Sequence, residues 1–272
     1  MLDNIDSEAI YLYCFASSTL VSTVEGVGVD GRNPVFLLPY RDVVAVAGFV
    51  SREEFGGHAA EDRMRELAWV GPRACRHEEV VERVLLHSPV LPVRFGTIFD
   101  SQESLEDRLK RHHDAIRGFL GTVSGKDEWA VKGLLDRARA VEQSFKNTRE
   151  ARSGELPPSP GALYLEEQRM RAACQKDLNR SLEEVCRSVT DDLSCVAVDW
   201  SMRKTLTREA MGGEKDMVLN CAFLVPRDAV SDFCARVRAV NDECAVPNLF
   251  FELSGPWPPY SFCPSLEEET PP

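Results

Sequence analysis

The segment Gly255–Phe262, with the sequence Gly-Pro-Trp-Pro-Pro-Tyr-Ser-Phe, constrains the fold of this chain more than any other stretch. Its three prolines have no N–H to donate to a sheet, and each restricts φ to a narrow range. The segment is therefore excluded from a central strand and from a helix. We predict that it lies on a surface as a stiff, extended strap, which either closes over the chain's own core or is recognised by a partner.

The composition indicates a globular protein and argues against several classes of partner. The 272 residues suffice for one large domain or two ordinary ones, and 43% hydrophobic with 28% charged residues is typical of a globular chain. A net charge of -12 argues against nucleic acid, which requires a basic face, and against an anionic membrane surface. No secretory signal and no apolar run of membrane-spanning length are visible, so the sequence predicts a cytoplasmic protein.

The chemistry-bearing residues form no recognisable site. Nine scattered cysteines include no C-x-x-C pair, and most of them lie in apolar segments as small hydrophobes. The adjacent His112 and His113 diverge by about 100° on a helix, so they do not converge on one ion, and we place His112 on the apolar stripe. The run His77-Glu78-Glu79 is interpreted as a solvated helix face. The sequence predicts no catalytic residues, no cofactor and no metal site.

Local patterns predict a mixed α+β arrangement in the first half of the chain. Apolar runs predict strands at residues 10–15, 43–50 and 90–95. The last strand carries a proline, which places it at an edge or a bulge. Helical periodicity is interrupted at Gly71-Pro72, so two separate helices are predicted there. Ser51 and Ser101 are predicted to cap helices, and the glycine- and serine-rich stretch 21–33 is predicted to be a loop.

The second half follows the order β-α-β-β-α-β, which is the ferredoxin-like signature. Strands are predicted at 128–135, 195–200, 217–225 and 249–253, with helices at 136–150, at 163–189 and from Pro226 onward. The strand 217–225 is almost wholly apolar, so we expect it at the centre of its sheet.

The predicted fold class is therefore α+β with two domains and an extended C-terminal tail. The domains and their parts are an N-terminal mixed α+β domain at 1–123, a modified ferredoxin-like domain at 124–263 with an enlarged helical insertion at about 136–190, and a disordered acidic tail at 264–272.

Two features leave alternatives open. Arg94 lies between apolar neighbours at the end of a predicted strand. It either pairs with a carboxylate or a chain terminus within the fold, or it supplies a bidentate contact to a partner. In the strap, Trp257, Tyr260 and Phe262 form either a proline-rich recognition strip or a segment folded back over an open sheet edge. Physical reasoning favours the second interpretation of the strap.

Three separated motifs resemble those of the gas vesicle protein F/L family. They are Val90–Phe99, Glu128–Lys132 and the strap Gly255–Phe262. Their order and spacing also match, as does the opening Tyr11-Leu12-Tyr13 strand, so the resemblance covers almost the whole chain. The motif residues expected to be structural or partner-binding are Arg94, Phe95, Gly96, Trp129, Lys132, Trp257, Tyr260 and Phe262.

The resemblance implies a non-enzymatic accessory protein that helps to build gas vesicles, the protein-shelled buoyancy compartments of some bacteria and archaea. It implies a modified ferredoxin fold in the C-terminal half, and contacts with the small hydrophobic shell subunit and with other accessory proteins. The expected location is the cytoplasm, in association with gas vesicles. It also implies that the strap packs on the protein's own domains. The alternative is a ligand-sensing or enzymatic α+β protein, which predicts a concave pocket with converging polar groups and shifted pKa values.

Overall fold

The computed structural model describes residues 8–56, 62–152, 154 and 159–266. The chain divides into two compact units. The first comprises Met1–Asp127 together with Trp257–Pro272, and the second comprises Glu128–Pro256. The sequence-based division placed residues 257–263 in the second domain, whereas the structure groups them with the first unit. The chain therefore returns to the first unit after it has completed the second.

One sheet organises the first unit. Its strands are β1 (Glu8–Ser17), β2 (Val35–Tyr40), β3 (Val43–Ser51), β4 (Val90–Pro92) and β5 (Ile98–Phe99). Their order is β2-β3-β1-β4, and β5 also pairs with β1. The pairs that β1 makes with β3, β4 and β5 are all antiparallel. Strand β1 is central, and its residues Ala9–Ala16 are all buried.

The strands predicted at 10–15 and 43–50 are confirmed as β1 and β3. The strand predicted at 90–95 is shorter than expected, but it lies at the edge of the sheet, where Pro92 needs no N–H. Strand β2 lies at the other end of the same sheet and was not predicted from the sequence. Its sequence contains Pro39, which interrupts an otherwise strand-like run.

The helices of the first unit include α1 (Arg52–Phe55), α2 (Leu67–Leu85) and α3 (Gln102–Val123), and a 3-10 turn follows at Tyr260–Phe262. The predicted break at Gly71-Pro72 is wrong, because α2 continues through both residues. An interior proline costs a helix about 3 kcal/mol. Contacts on both sides offset that cost: the Trp69 ring lies 5.3 Å from that of Phe55, and Val80, Val81 and Val84 are buried.

Both predicted N-caps are confirmed: the Ser51 and Ser101 hydroxyls accept hydrogen bonds from the backbone N–H groups of Glu54 and Ser104. The predicted apolar stripe of α3 is also present, but His113 rather than His112 faces the core. Because His113 lies four residues after Leu109 and three before Ile116, it falls on the same face as both. Its Nε2 atom lies 2.6 Å from an Asp42 carboxylate oxygen.

The predicted loop at 21–33 contributes to the core of the first unit. Val21 and Val29 are buried in it, and the Val29 N–H donates to the Tyr13 hydroxyl at 2.7 Å.

The described residues of the second unit form a second sheet and four α-helices. Its strands are β6 (Lys126–Leu135), β7 (Asp199–Met202), β8 (Asp216–Pro226) and β9 (Leu249–Trp257), and its helices are α4 (Arg137–Ala151), α5 (Pro160–Ser194), α6 (Arg208–Met211) and α7 (Val230–Glu243). The sheet order is β7-β8-β6-β9. The core lies between the sheet and the helices α5 and α7, which contribute Leu178, Leu182, Phe233 and Val237. The predicted central position of β8 is confirmed.

The α+β class is confirmed, whereas the ferredoxin-like arrangement stays a prediction. It is supported by the order of elements along the chain, β-α-β-β-α-β, apart from the short α6. Pro226 ends β8 instead of opening the next helix, which begins at Val230. The predicted strand 195–200 begins only at Asp199. Of the predicted disordered tail, residues 264–266 are described and residues 267–272 lie outside the described residues.

None of the described helices combines the length and the apolar character that crossing a bilayer requires.

Candidate functional site

Two of the three motifs meet at one cavity in the first unit. The cavity has a volume of about 450 Å³. The first motif contributes the consecutive residues Leu91–Arg94 and also Thr97 to its wall. The strap contributes Tyr260, and the segment Cys263–Leu266 continues the lining. Sequence positions more than a hundred and fifty residues apart, such as Arg108 and Leu266, are therefore neighbours here.

Tyr260 fastens the strap to the first unit through a chain of hydrogen bonds. Its hydroxyl donates to a Glu78 carboxylate oxygen at 2.9 Å and lies 3.2 Å from His77 Nε2. The other ring nitrogen, His77 Nδ1, lies 2.9 Å from the Tyr11 hydroxyl. That hydroxyl also accepts from the Gly96 N–H at 2.9 Å. Four separate parts of the chain are thereby joined around one imidazole.

The hydrogen bonds of this network form one continuous chain, in which each group donates to the next. Because the Tyr260 proton points to Glu78, His77 Nε2 must carry the proton that is donated to the Tyr260 oxygen. In a neutral imidazole, His77 Nδ1 is then the acceptor for the Tyr11 proton. Burial lowers the pKa of His77 to about 4, in agreement with a neutral ring. Burial also raises the pKa values of Tyr11, Tyr260 and Glu78.

Sequence reasoning missed these partners. The interpretation of His77 and Glu78 as a solvated helix face is wrong, because His77 is only 2% exposed and Glu78 is bonded to the strap. The available signal was helical spacing: His77 precedes the buried Val80 and Val81 by three and four residues and shares their face.

Phe95 and Gly96 serve the same network. The Phe95 ring packs near the rings of Tyr11 and His77, at centroid distances of 6.1 and 6.0 Å. Gly96 has a φ of 87°, a region that side-chain-bearing residues rarely adopt. This conformation directs its N–H at the Tyr11 hydroxyl. Both residues therefore contact the hydrogen-bond network around His77.

Arg94 is exposed at the cavity. Its carbonyl accepts two hydrogen bonds from Thr97. Within residues 8–56, 62–152, 154 and 159–266, its guanidinium makes no hydrogen bond and no ion pair. The predicted pairing with an internal carboxylate is therefore not observed among these residues, and both chain termini lie outside them.

The structure does not bring Trp129 and Lys132 to this cavity. Both lie on β6 in the second unit and are half-buried. Trp129 packs against Gly255, where the strap begins: a Cβ on Gly255 would lie 3.1 Å from the Trp129 ring and 2.9 Å from the Glu128 carbonyl oxygen. With a φ of 143°, position 255 has both a backbone and a steric reason to be glycine.

The remaining strap residues differ in how deeply they are buried. Pro258 and Pro259 are buried, Phe262 is half-buried, and Trp257 is 39% exposed. These contacts support the interpretation of the strap as a closing element of the first unit rather than a free recognition strip.

A second candidate surface lies on β7, at the end of the second sheet. Strand β7 pairs with β8 in antiparallel register, and the N–H of Val198 continues that ladder by donating to the Leu224 carbonyl at 2.9 Å. The alternate residues Val198, Trp200 and Met202 therefore share one face. Their exposed fractions are 54%, 42% and 59%. Large apolar side chains thus follow one open edge of the sheet.

No group of three or more histidine, cysteine, aspartate or glutamate side chains is placed to hold a metal ion within the part of the chain that the structure describes.

Comparison with known proteins agrees with the motif pattern. The family model described as "Gas vesicle synthesis protein GvpL/GvpF" matches residues 9–264. Gas vesicle protein L of Streptomyces sp. (strain CB03234) is 28% identical over 246 residues, which cover 90% of this chain and 89% of that protein. Gas vesicle protein F of Dolichospermum flosaquae is 24% identical over 245 residues, covering 86% and 89%.

A solved structure has the same fold. The crystal structure of the gas vesicle protein GvpF from Anabaena sp. PCC7120 superposes with a TM-score of 0.68 at 18% identity, and the match covers 95% of this chain and 97% of that one. Relatives named F and relatives named L both match, so the comparison does not assign the chain to either name.

Proposed function

From the premise that the chain belongs to the gas vesicle synthesis family GvpL/GvpF, which implies a role in gas vesicle assembly, we propose that it is an accessory protein that binds the hydrophobic shell subunit. It keeps that subunit competent for assembly or nucleates its addition, and it contacts other accessory proteins. It acts in the cytoplasm in association with gas vesicles, without nucleic acid or membrane as a partner.

The observation that carries this proposal is the apolar edge at β7. An open strand edge offers unpaired backbone groups to an extended segment of another chain, and neighbouring side chains add specificity. Here Val198, Trp200 and Met202 present apolar surface along the edge, and Leu206 is 48% exposed nearby in the chain. A hydrophobic subunit can cover this surface by adding a strand to β7.

Two features keep such an edge from associating with itself. Strand β7 has only four residues, and short edge strands are poor templates for pairing. The net charge of -12 repels identical copies and keeps a complex with an apolar subunit in solution.

Co-purification with the shell subunit at micromolar concentration tests the proposal. The unmodified chain should retain the subunit, and the double variant Trp200→Lys/Met202→Lys should lose it, because charged side chains block strand addition. Phe250→Lys is the matched control: Phe250 is 51% exposed on β9, at the other end of the same sheet, and this variant should still bind. Absence of any association by the unmodified chain, or equal loss in the control, contradicts the proposal.

Fractionation of washed, intact vesicles distinguishes an assembly factor from a scaffold that remains on the shell. An assembly factor should be present during growth and absent from washed vesicles, whereas a scaffold should stay bound to them.

The ligand-sensing alternative is favoured by one specific observation, the cavity in the first unit, where Arg94, Arg108 and Tyr260 line a concave space. It predicts that a ligand binds there whether or not the shell subunit is present.

A further inference from the structure

The wall of the cavity in the first unit combines apolar and polar residues. Apolar side chains from the sheet and from the first motif line the cavity, among them Leu12, Phe15, Leu91, Val93 and Phe99. Its volume of about 450 Å³ lies within the range of natural ligand pockets, which is roughly 300 to 1,000 Å³. These apolar side chains favour an occupant with apolar groups.

The charges at this cavity are opposite in sign to the charge of the chain. The protein carries a net charge of -12, yet the described residues that line the cavity include Arg94 and Arg108 and no acidic residue. The Arg94 guanidinium is exposed and has no partner among the described residues. The Arg108 guanidinium donates to the Leu266 carbonyl through one nitrogen, which leaves further donors. Guanidinium groups bind carboxylates in bidentate geometry, so a carboxylate fits the charges at this cavity.

The shape of the wall indicates a peptide rather than a small molecule. Four consecutive residues, Leu91–Arg94, line the cavity, and the strand they continue, β4, lies at an edge of the sheet. A second consecutive stretch, Cys263–Leu266, lines it as well, and its Cys263 thiol lies 3.5 Å from the Pro92 carbonyl oxygen. Extended peptides bind beside such edges through their main chain, with alternate side chains in pockets.

We propose that this cavity binds a short, extended segment of a partner protein in which an acidic side chain stands between apolar residues. The acidic side chain contacts Arg94, and the apolar side chains contact the walls. The site lies in the first unit and the β7 edge lies in the second, so this inference does not depend on the function proposed for that edge.

Fluorescence anisotropy of the full chain with a labelled peptide tests the proposal. The probe is Ser-Leu-Val-Glu-Val-Leu-Ser with blocked termini, and the matched probe has glutamine in place of glutamate. The glutamate peptide should bind roughly tenfold more tightly, because charged hydrogen bonds contribute more than neutral ones. Arg94→Gln should abolish that preference, and Arg94→Lys should retain part of it. The control Arg169→Gln removes an arginine that is exposed on α5 and should leave the preference unchanged.

Several outcomes would overturn the proposal. Equal binding of the two peptides, or a preference that survives Arg94→Gln, shows that no carboxylate is recognised at this arginine. Binding of octanoate but not of the peptide shows a site for a small carboxylate. A tenfold gain in peptide affinity on replacing Glu267, Glu268 and Glu269 with glutamine shows that the chain's own acidic residues compete for the cavity. Unchanged affinity in that triple variant supports a partner.

Discussion

The strap Gly255–Phe262 and the edge strand β7 (residues 199–202) are both short aromatic segments, yet their environments are opposite. In the strap, Pro258 and Pro259 are buried and the Tyr260 hydroxyl is bonded to Glu78. In β7, Trp200 and Met202 are exposed. The segment with the most distinctive sequence is therefore the one used for internal packing, and the segment without a distinctive motif has the accessible apolar surface.

The physical origin of this contrast is hydrogen bonding. A segment with three prolines cannot offer a regular row of N–H groups to a partner strand. Strand β9 therefore ends at Trp257, and the rest of the strap is fixed by side chains such as Tyr260. Strand β7 contains no proline, and among the described strands it pairs only with β8. Its position at the end of the sheet and its apolar side chains are suited to an intermolecular contact.

The largest effect is expected from Tyr260→Ala. This change removes a packed ring and its hydrogen bonds, so the first unit should lose about 3 kcal/mol of stability. Tyr260→Phe keeps the ring and should cost about 1 kcal/mol. Thiol labelling across a denaturant series measures both, because Cys14 is buried in the first unit and Cys221 in the second. The shift should be larger at Cys14, and an equal shift at Cys221 would contradict a role of the strap in closing the first unit.

Acidification should weaken the same region. Histidine in the unfolded chain takes up a proton near pH 6.5, whereas folded His77, with its pKa lowered to about 4, does not. The unfolded state therefore binds more protons between pH 6.5 and 4, and stability should fall as the pH decreases through this window, by up to about 3 kcal/mol. The raised pKa of Glu78 acts in the opposite sense.

Urea midpoints measured across this pH window check the expectation, with His77→Gln as the comparison. The variant should lose the part of the pH dependence that is due to His77. An identical pH dependence in both proteins would show that His77 is not held neutral by the fold.

Much of the fold could be predicted from the sequence, because many of its elements are determined by residues that are close together in the chain. The serine cap at Ser101 and the apolar run of β8 depend on residues a few positions away. Pro72 was misjudged because its cost is offset by tertiary contacts of α2. His77 was missed because its partner Tyr260 is 183 residues distant, and no local pattern reports such a contact. The cavity at Arg94 could not be predicted for the same reason, because the segments that line it are far apart in the sequence.

Gly255→Ala, at the beginning of the strap, should have a smaller effect than Tyr260→Ala. This effect should fall on the second unit instead of the first. The new Cβ would lie 2.9 Å from the Glu128 carbonyl oxygen at a φ of 143°, so the second unit should lose about 2 kcal/mol. Here labelling of Cys221 should shift more than labelling of Cys14. Gly213→Ala is the matched control, because a Cβ there would meet only one atom, at 4.0 Å, and it should have little effect. Equal effects of the two changes would contradict a steric requirement at position 255.

The smallest effect on stability is expected from a substitution in β7. This substitution tests most directly whether β7 and the strap differ in role. Trp200→Thr keeps a residue suited to strands and removes an exposed ring, so unfolding should change by no more than about 0.5 kcal/mol. Association with the shell subunit should nevertheless weaken, because the lost surface is the one that a partner covers. Tyr260→Phe should behave in the reverse way, with reduced stability and retained association at a concentration where the chain is folded. If Trp200→Thr destabilises the second unit as much as Tyr260→Phe destabilises the first, the β7 edge is part of the core and the two regions do not differ in role.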